Sequence, residues 1–338
     1  MKKTKNKLRL GYCTDNLELK EQHIHTSKTA RLATIKNNGK SYALELARSN
    51  LEGILNVLKW NQQHGIKFYR MSSMICPHIT NPALIKDKSD YKALAYSMKS
   101  LAGIMSQIGE YARKHGMRLT FHPDPFISLG TSSDGVLLRN TRELWFHCVV
   151  LDMMGLDLNS IICIHGGGFY GDKPATMKLW VKRFNALPIK IKRRVAIEND
   201  EFSYSVQDMF WISAHVDPYE LEFEGTFKPS RKYKIPVIFD FFHYYCYNQT
   251  VVLRELAEQW DLERIIPIWL QTWGDRRVKG HISEQKPGGP RGAHSKMVMK
   301  IPAILRNAPK KYGKHIDLMI EAKQKQFATL YLMKKYKL

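Results

Sequence analysis

The sequence predicts a single-domain (β/α)8 barrel, also called a TIM barrel, and three observations support this fold class. Short apolar runs alternate with longer amphipathic stretches, a pattern typical of parallel strands joined by helices. Eight such units follow one another along the chain. The length of 338 residues suits a barrel of about 250 residues with insertions. We therefore expect residues 1–7 to form a basic flexible arm and residues 8–338 to form the barrel domain.

The candidate strands are the apolar runs at residues 8–13, 66–72, 117–122, 160–165, 193–198, 235–240, 276–282 and 315–321. Helices are expected between them, for example at residues 43–64, 91–115, 137–154, 174–185, 250–258 and 322–335. The seventh strand has a competitor, because the apolar run at 265–270 also resembles a strand. Polar segments interrupt the alternation at residues 14–42, 214–234 and 284–297. The first and the last follow strands, so we expect them on the C-terminal face, and the middle one on the opposite face.

The charge balance indicates a polyanionic partner. The chain has 53 Lys plus Arg against 31 Asp plus Glu, a formal net charge of +22. Such a surface suits nucleic acid, although an anionic membrane surface would also attract it. The sequence contains no apolar run of about 20 residues, so we expect no membrane span. Five scattered cysteines without a C-x-x-C pair favour a reducing intracellular compartment, cytoplasmic or nuclear, rather than secretion.

Residues that commonly bind metals stand at the C-terminal ends of six predicted strands. The candidate ligands are His122, His165, Glu198, Asp240, His243, His281, His294 and Glu321. Because the C-terminal strand ends of a barrel meet on one face, residues far apart in sequence become neighbours there. Imidazole and carboxylate without thiolate suit manganese, zinc or iron, and this set is large enough for two or three ions. Clustered ions of this kind fit hydrolysis of a phosphodiester.

Some of these residues suggest more specific roles. Glu198 has two oxygens and can bridge two ions, while the spacing of Asp240 and His243 lets each reach a different ion. Lys173 follows the Gly-rich turn after His165, where it can meet a phosphate. Phe126 lies in a stiff Asp-Pro loop and either stacks on a base or packs beneath the loop.

A further set of short motifs is spread along the chain: Leu10-Gly11-Tyr12 with Asn16, Trp60-Asn61, Phe68-Tyr69-Arg70-Met71-Ser72-Ser73, Phe121-His122-Pro123, Ile164-His165-Gly166-Gly167, Gly171-Asp172-Lys173, Glu198-Asn199-Asp200, Phe239-Asp240 with His243, Lys279 with His281 and Ser283, His294, and Glu321-Ala322-Lys323. Through these motifs the chain resembles, from about Arg9 to Ala328, the UV damage endonuclease family, metal-dependent TIM barrels related in architecture to endonuclease IV.

This resemblance implies that the chain is a metal-dependent DNA repair endonuclease. It implies incision of damaged double-stranded DNA 5′ to the damaged base, leaving a 3′-hydroxyl. It also implies three divalent ions held by the eight ligands, usually manganese, with zinc or magnesium as alternatives. By the same resemblance His78 lies near the metals, Lys279 can be carboxylated and then face them as an anion, and Tyr12 and Asn16 face the DNA at the lesion. We further expect a monomer.

One segment departs from the family, and three other functions remain open. After His122-Pro123 the family usually carries Gly-Gln-Tyr, whereas this chain has Asp124, Pro125 and Phe126. The alternatives are an apurinic-site endonuclease, a metal-dependent sugar isomerase and a non-catalytic DNA-binding relative. The charge argues against the isomerase, because a neutral sugar has no use for a cationic surface. We expect the cationic residues around the C-terminal face, in segments such as 276–279 and 286–296.

Overall fold

All eight predicted strands are present in the computed structural model, which describes residues 7–220, 232–251 and 261–338. They are β1 (Leu8–Cys13), β2 (Phe68–Arg70), β3 (Arg118–Thr120), β4 (Ile162–His165), β5 (Val195–Glu198), β8 (Val237–Asp240), β9 (Val278–Ile282) and β10 (Ile316–Ile320). Two further strands, β6 (Tyr219–Glu220) and β7 (Lys232–Tyr233), form a separate antiparallel pair.

The eight strands form one parallel sheet that curls into a barrel. Their order is β3-β2-β1-β10-β9-β8-β5-β4, so the chain runs around the sheet with its first and last strands adjacent. A parallel bridge between Phe121 and Ile162 joins the two outer strands of this order. The predicted single-domain (β/α)8 barrel is therefore confirmed.

Helices cover the outside of the barrel. They are α1 (Leu17–Glu21), α2 (Leu32–Gln63), α3 (Ala102–Lys114), α4 (Asp134–Met153), α5 (Lys173–Ala186), α6 (Ile189–Lys192), α7 (Val206–His215), α8 (Phe241–Val251), α9 (Leu262–Thr272), α10 (Ala303–Tyr312) and α11 (Lys325–Tyr336), with a 3-10 turn at Lys99–Leu101. Among them, none combines the length and hydrophobicity needed to span a membrane, a statement that covers the described residues.

Several expectations about the elements need correction or stay open. The run at 265–270 lies inside α9, where Ile265, Ile266, Trp269 and Leu270 are buried with helical spacing, so the competing strand is wrong. Helix α2 begins at Leu32 rather than at residue 43 and bends at Gly39, which has φ 81°. Residues 91–98 are not helical. The helix predicted at 250–258, most of the polar segment 214–234 and nearly all of the basic arm lie outside the described residues.

The strands divide their side chains between two cores. Because side chains alternate along a strand, Val278 and Ile282 of β9 join the large apolar core, whereas Lys279 and His281 share the opposite face. Cys13, Phe68 and Met319 form a second, small apolar cluster separate from the large one. Polar groups lie above and below this small cluster, near the two ends of the barrel. The C-terminal end contains the predicted ligands.

Candidate metal centre

The barrel brings all eight predicted ligands to its C-terminal end. Five of them line one cavity of about 680 Å³: His122, His165, His243, His294 and Glu321. The other three, Glu198, Asp240 and His281, have no exposed surface and are linked to the first five by close contacts. Each of the eight stands at or just after a strand end, except that His243 lies in the first turn of α8 and His294 in the loop after β9. Parallel strands therefore create this cluster from residues spread over most of the chain.

Glu198 lies at the centre of the cluster. Its Oε2 is 2.9 Å from His122 Nε2, and its Oε1 is 2.6 Å from His281 Nδ1. Although burial alone would raise the pKa of Glu198, the neighbouring imidazoles of His281, His165 and His122 hold it well below its usual range. The two oxygens of an ionised carboxylate thus face different imidazoles, which is the arrangement that a bridging metal ligand requires.

Three histidines are oriented by backbone carbonyl groups. His122 Nδ1 lies 3.0 Å from the carbonyl oxygen of Pro123, His243 Nδ1 lies 3.0 Å from that of Asn199, and His294 Nδ1 lies 3.1 Å from that of Glu321. When Nδ1 donates a hydrogen bond to a carbonyl oxygen, Nε2 is the ring nitrogen that can bind a metal once it has lost any proton. Metal-binding histidines are commonly fixed in this way.

Asp240 and His243 form a coupled pair. Asp240 Oδ1 accepts hydrogen bonds from the backbone amides of Phe242 (2.7 Å) and His243 (2.8 Å), which fixes the carboxyl group. Burial, together with Glu198 and Glu321, raises the pKa of Asp240 to about 7. Burial would lower the pKa of His243, but the carboxylates of Asp240, Glu198 and Glu201 raise it to about 9. Both groups therefore retain protons that a bound cation would displace.

The donor set fits divalent cations. Within the described part of the chain, Asp240 Oδ2, His165 Nδ1 and His281 Nε2 are buried without a hydrogen-bond partner. Buried polar atoms of folded proteins normally have hydrogen-bond partners, and leaving a buried donor or acceptor without a partner costs about 1–3 kcal/mol. Two sets of ligand atoms lie within 4.8 Å of one another, and both include Glu198: one with His122 and Cys163, the other with Asp240 and His281. A cation beside Glu198, Asp240 and His281 would supply the partner that Asp240 Oδ2 lacks.

Sequence reasoning missed Arg70, Cys163 and Glu201. Arg70 ends β2, lines the cavity and forms an ion pair with Glu321. Cys163 Sγ lies 2.8 Å from Glu198 Oε2, and Glu201 Oε2 lies 3.6 Å from His243 Nε2. The same strand-end rule that found the ligands would have found Arg70. Cys163 precedes His165 by two residues in β4, so the two side chains lie on the same face of the strand. A search for C-x-x-C pairs does not detect this spacing.

Lys279 lies inside the barrel below the ligands. It precedes His281 by two residues, is fully buried, and its Nζ is 3.5 Å from Thr120 Oγ1. Burial lowers the pKa of Lys279 to about 8. The amine is thus much closer to its neutral form than an exposed lysine at the same pH.

His78 is not brought to the cluster. Its Nε2 lies 2.8 Å from the carbonyl oxygen of Ala30, and its Nδ1 lies 3.2 Å from the side-chain amide of Asn81. It lines a neighbouring cavity of about 460 Å³, which Phe126 and Arg139 also line. Both ring nitrogens therefore hold loops in place in this structure.

Tyr12 and Asn16, which the resemblance places at the DNA, are both buried in this structure. Tyr12 is 0% exposed, and its hydroxyl donates to Asn61 Oδ1 at 2.7 Å. Asn16 is 2% exposed, accepts from the amide of Leu19 at the start of α1, and donates to the hydroxyl of Tyr12. These contacts connect β1, α1 and α2, so both side chains are structural here.

Phe126 and Lys173 both lie on the C-terminal side of the barrel, as expected, but their surroundings differ. Phe126 is 85% exposed at the edge of the cavity, so packing beneath the loop is wrong. Lys173 Nζ lies 2.5 Å from Asp208 Oδ2 and 3.2 Å from the hydroxyl of Tyr247. Its charge is therefore already neutralised, which corrects the expectation of a phosphate contact.

The expected position of the cationic segments is half correct. Lys286 and Arg291 are exposed in the loop after β9, on the same side as the ligands. Arg276 and Arg277 instead precede β9 and lie at the opposite end of the barrel, and Lys279 is buried within it. The two ends of a strand lie on opposite faces of the barrel, so cationic residues before β9 and after β9 are separated by the length of the strand.

Comparisons with known proteins agree with this geometry. A family model described as UV-endonuclease UvdE matches residues 8–338. A viral relative, from Acanthamoeba polyphaga mimivirus, is 33% identical over 336 residues, covering 98% of this chain and 92% of that protein. The UV-damage endonuclease of Schizosaccharomyces pombe is 28% identical over 343 residues, covering 98% of this chain and 51% of that protein. The crystal structure of SacUVDE is 27% identical, with a TM-score of 0.76 over 98% of both chains. This chain belongs to the UV-endonuclease UvdE family.

Proposed function

We propose that this chain is a DNA repair endonuclease that hydrolyses the phosphodiester 5′ to a damaged base in double-stranded DNA, leaving a 3′-hydroxyl. One observation carries the proposal: eight imidazole and carboxylate ligands converge around the shared carboxylate of Glu198, with buried atoms that have no partner among the described residues. Such a set is suited to several divalent ions, and we expect three manganese ions, with zinc or magnesium as alternatives. Family membership supports DNA as the substrate.

The residues of the cavity have separable roles in this mechanism. Bound divalent ions supply Lewis acidity at the phosphoryl oxygens and lower the pKa of water at neutral pH. Glu198 would hold them, and His122, His243 and His294 are pre-oriented for this by their carbonyl partners. Arg70 lies among anionic groups at the cavity wall, where its guanidinium can also donate to a phosphate oxygen.

Lys279 and His78 take the catalytic positions that the family resemblance gives them. We propose that the Lys279 amine adds to carbon dioxide and loses a proton, giving a carbamate that faces the metals. A lysine whose pKa is about 8 has the free amine that this addition needs. His78 requires a movement of its loop to reach the cluster, because both of its nitrogens contact loop residues.

Three exposed apolar side chains at the cavity edge would engage the DNA. Met74, Phe126 and Phe202 are 53%, 85% and 57% exposed, and all three line the cavity. Exposed apolar groups beside a charged site suit stacking on bases or filling a gap in the duplex. Asp124 Oδ1 accepts from the amide of Phe126 at 2.9 Å, so the carboxylate stabilises the turn that presents the ring. Although Asp124, Pro125 and Phe126 stand where the family usually has Gly-Gln-Tyr, an aromatic side chain is still present at this edge of the cavity.

The test is a nicking assay on UV-irradiated plasmid after removal of metal and addition of manganese. We expect nicks on irradiated plasmid that undamaged plasmid does not show, and no activity without metal. Glu198→Gln should reduce the rate by about a thousandfold or more, since the bridging charge is lost. The matched control is Glu263→Gln, because Glu263 is exposed, is paired with Lys311 and is not one of the candidate ligands.

The products and a lesion panel make the proposal specific. A 3′-hydroxyl end on the 5′ side of the photoproduct supports it, whereas equal nicking of undamaged plasmid would refute damage recognition. Preference for a single abasic site over a photoproduct would instead assign the chain to the apurinic-site endonucleases. Full activity of Glu198→Gln would remove the bridging role.

A further inference from the structure

A second cavity lies at the N-terminal end of the barrel, opposite the metal centre. Its volume is about 820 Å³, and six arginines line it: Arg9, Arg113, Arg118, Arg193, Arg194 and Arg277. All but Arg113 stand at or just before the start of a barrel strand, or at its second residue. Arg113 lies in the last turn of α3. Arginines therefore converge at this end just as histidines and carboxylates converge at the other.

The carboxylates at this end do not neutralise the arginines. Asp317 is fully buried and is shared by Arg9 at 2.7 Å, Arg118 at 3.0 Å and Arg277 at 3.5 Å. Asp152 in the cavity wall faces Arg194 at 2.7 Å and Arg193 at 3.5 Å, as well as Lys190 at 3.0 Å. Together with Asp157, three carboxylates face six guanidinium groups. The formal excess among these groups is three positive charges, before Lys190 is counted.

Two of these arginines have donors without acceptors. Arg118 is 4% exposed and donates to the carbonyl of Asn159 at 2.6 Å and to Asp317, yet its Nη2 has no partner among the described residues. Arg193 Nε is likewise buried and unpaired within that part of the chain. Burial lowers the pKa of Arg118 to about 10, which indicates that its charge is incompletely compensated. An anion in the cavity would balance the excess positive charge of its arginines.

We propose that this cavity binds a small, multiply charged phosphate anion, such as pyrophosphate or the diphosphate of a nucleotide. Guanidinium groups bind phosphate through two parallel hydrogen bonds, and an excess of three charges matches a diphosphate group. A concave site whose innermost arginine is 4% exposed admits a small anion, whereas the surface of a duplex does not enter it. The site is separate from the metal centre and does not depend on the proposed nuclease activity.

The test is isothermal titration of the full chain with sodium pyrophosphate in the presence of a chelator, so that metals at the other end do not contribute. We expect saturable binding at one site. Arg193→Gln and Arg277→Gln should each weaken it about tenfold or more, because each removes a charge-assisted contact. The matched control, Arg48→Gln, removes an exposed arginine of α2 and should leave affinity within about twofold. Arg193 and Arg277 are partly exposed, so circular dichroism should show both variants folded.

Titrations with orthophosphate and ADP identify the source of the phosphate. Tighter binding of ADP than of pyrophosphate assigns a nucleotide, and equal or weaker binding assigns the free anion; both results support the site. Three results would overturn it: no saturable binding, equal weakening in Arg48→Gln, or unchanged affinity in both cavity variants. In those cases the arginines serve only to hold the strand ends together.

Discussion

The two ends of the barrel are both polar and buried, yet they are built for opposite charges. Asp317 at the N-terminal end and Asp240 at the C-terminal end are each 0% exposed. Burial opposes ionisation of Asp317, but Arg9, Arg118 and Arg277 outweigh it and keep the pKa of that carboxyl low. Asp240 has no arginine partner among the described ion pairs, and its pKa rises to about 7. A buried carboxylate that is paired with arginines has a structural role, whereas a buried carboxylate without an arginine partner is suited to bind a metal cation.

Substitution of each of these two aspartates by asparagine should give the largest difference in stability between the two ends of the barrel. Asp317→Asn leaves buried Arg118 and partly exposed Arg9 and Arg277 around a neutral group, so we expect a loss of about 3 kcal/mol or more in the free energy of unfolding. Asp240→Asn removes a carboxylate whose ionisation is unfavourable when buried, so the metal-free protein at pH 8 should be as stable or more stable. Chemical denaturation without metal measures both.

The contributions of Asp240 and Asp317 to stability depend on pH with opposite signs, which provides a control for this pair of substitutions. The folded-state pKa of Asp240 lies above the ordinary value of 3.8, so its contribution to stability is present at low pH and is lost as pH rises through about 7. The pKa of Asp317 is lowered, so its contribution is present at neutral pH and is lost on acidification. Equal destabilisation by the two substitutions at pH 8 would contradict the comparison.

Manganese affinity should rise with pH, because metal ligands must lose their protons. The pKa values of about 7 for Asp240 and about 9 for His243 mean that both groups compete with metal below those values. We expect an increase of up to about tenfold per pH unit between pH 7 and 9, levelling off above that range. Calorimetry in two buffers of different ionisation enthalpy should detect about one proton released at pH 8. Affinity that does not change with pH would show that these groups are not ligands.

Substitutions at the edge of the metal cavity should have the smallest effects. Phe126→Ala removes an 85% exposed ring and should weaken binding of irradiated duplex about tenfold, a typical cost for one stacking contact. Lys173→Gln should change binding by less than about threefold, because the lysine is already paired with Asp208. Electrophoretic mobility shifts on irradiated and undamaged duplexes measure both. A larger loss for Lys173→Gln would restore its predicted phosphate contact.

The sequence predicted the ligand end of the barrel better than the arginine end. All eight strands and the convergence of the ligands follow from hydrophobic periodicity and from one rule about strand ends. The burial of Tyr12 does not follow from them, because its environment depends on Asn61 in α2, 49 residues away. Nor does the pairing of Lys173 with Asp208, which joins the starts of α5 and α7. Whether a polar residue is exposed depends on contacts between segments that are distant in sequence. Hydrophobic periodicity contains no information about such contacts.

We expect the C-terminal end of the barrel to bind divalent metal and the N-terminal end to bind none. The most direct measurement is anomalous diffraction from a crystal of the protein soaked in manganese. We expect peaks within coordination distance of Glu198, with Asp240 and His281 among the ligands, and no peak among the arginines around Asp317. A crystal without anomalous peaks at Glu198, or with its manganese elsewhere, would contradict the account.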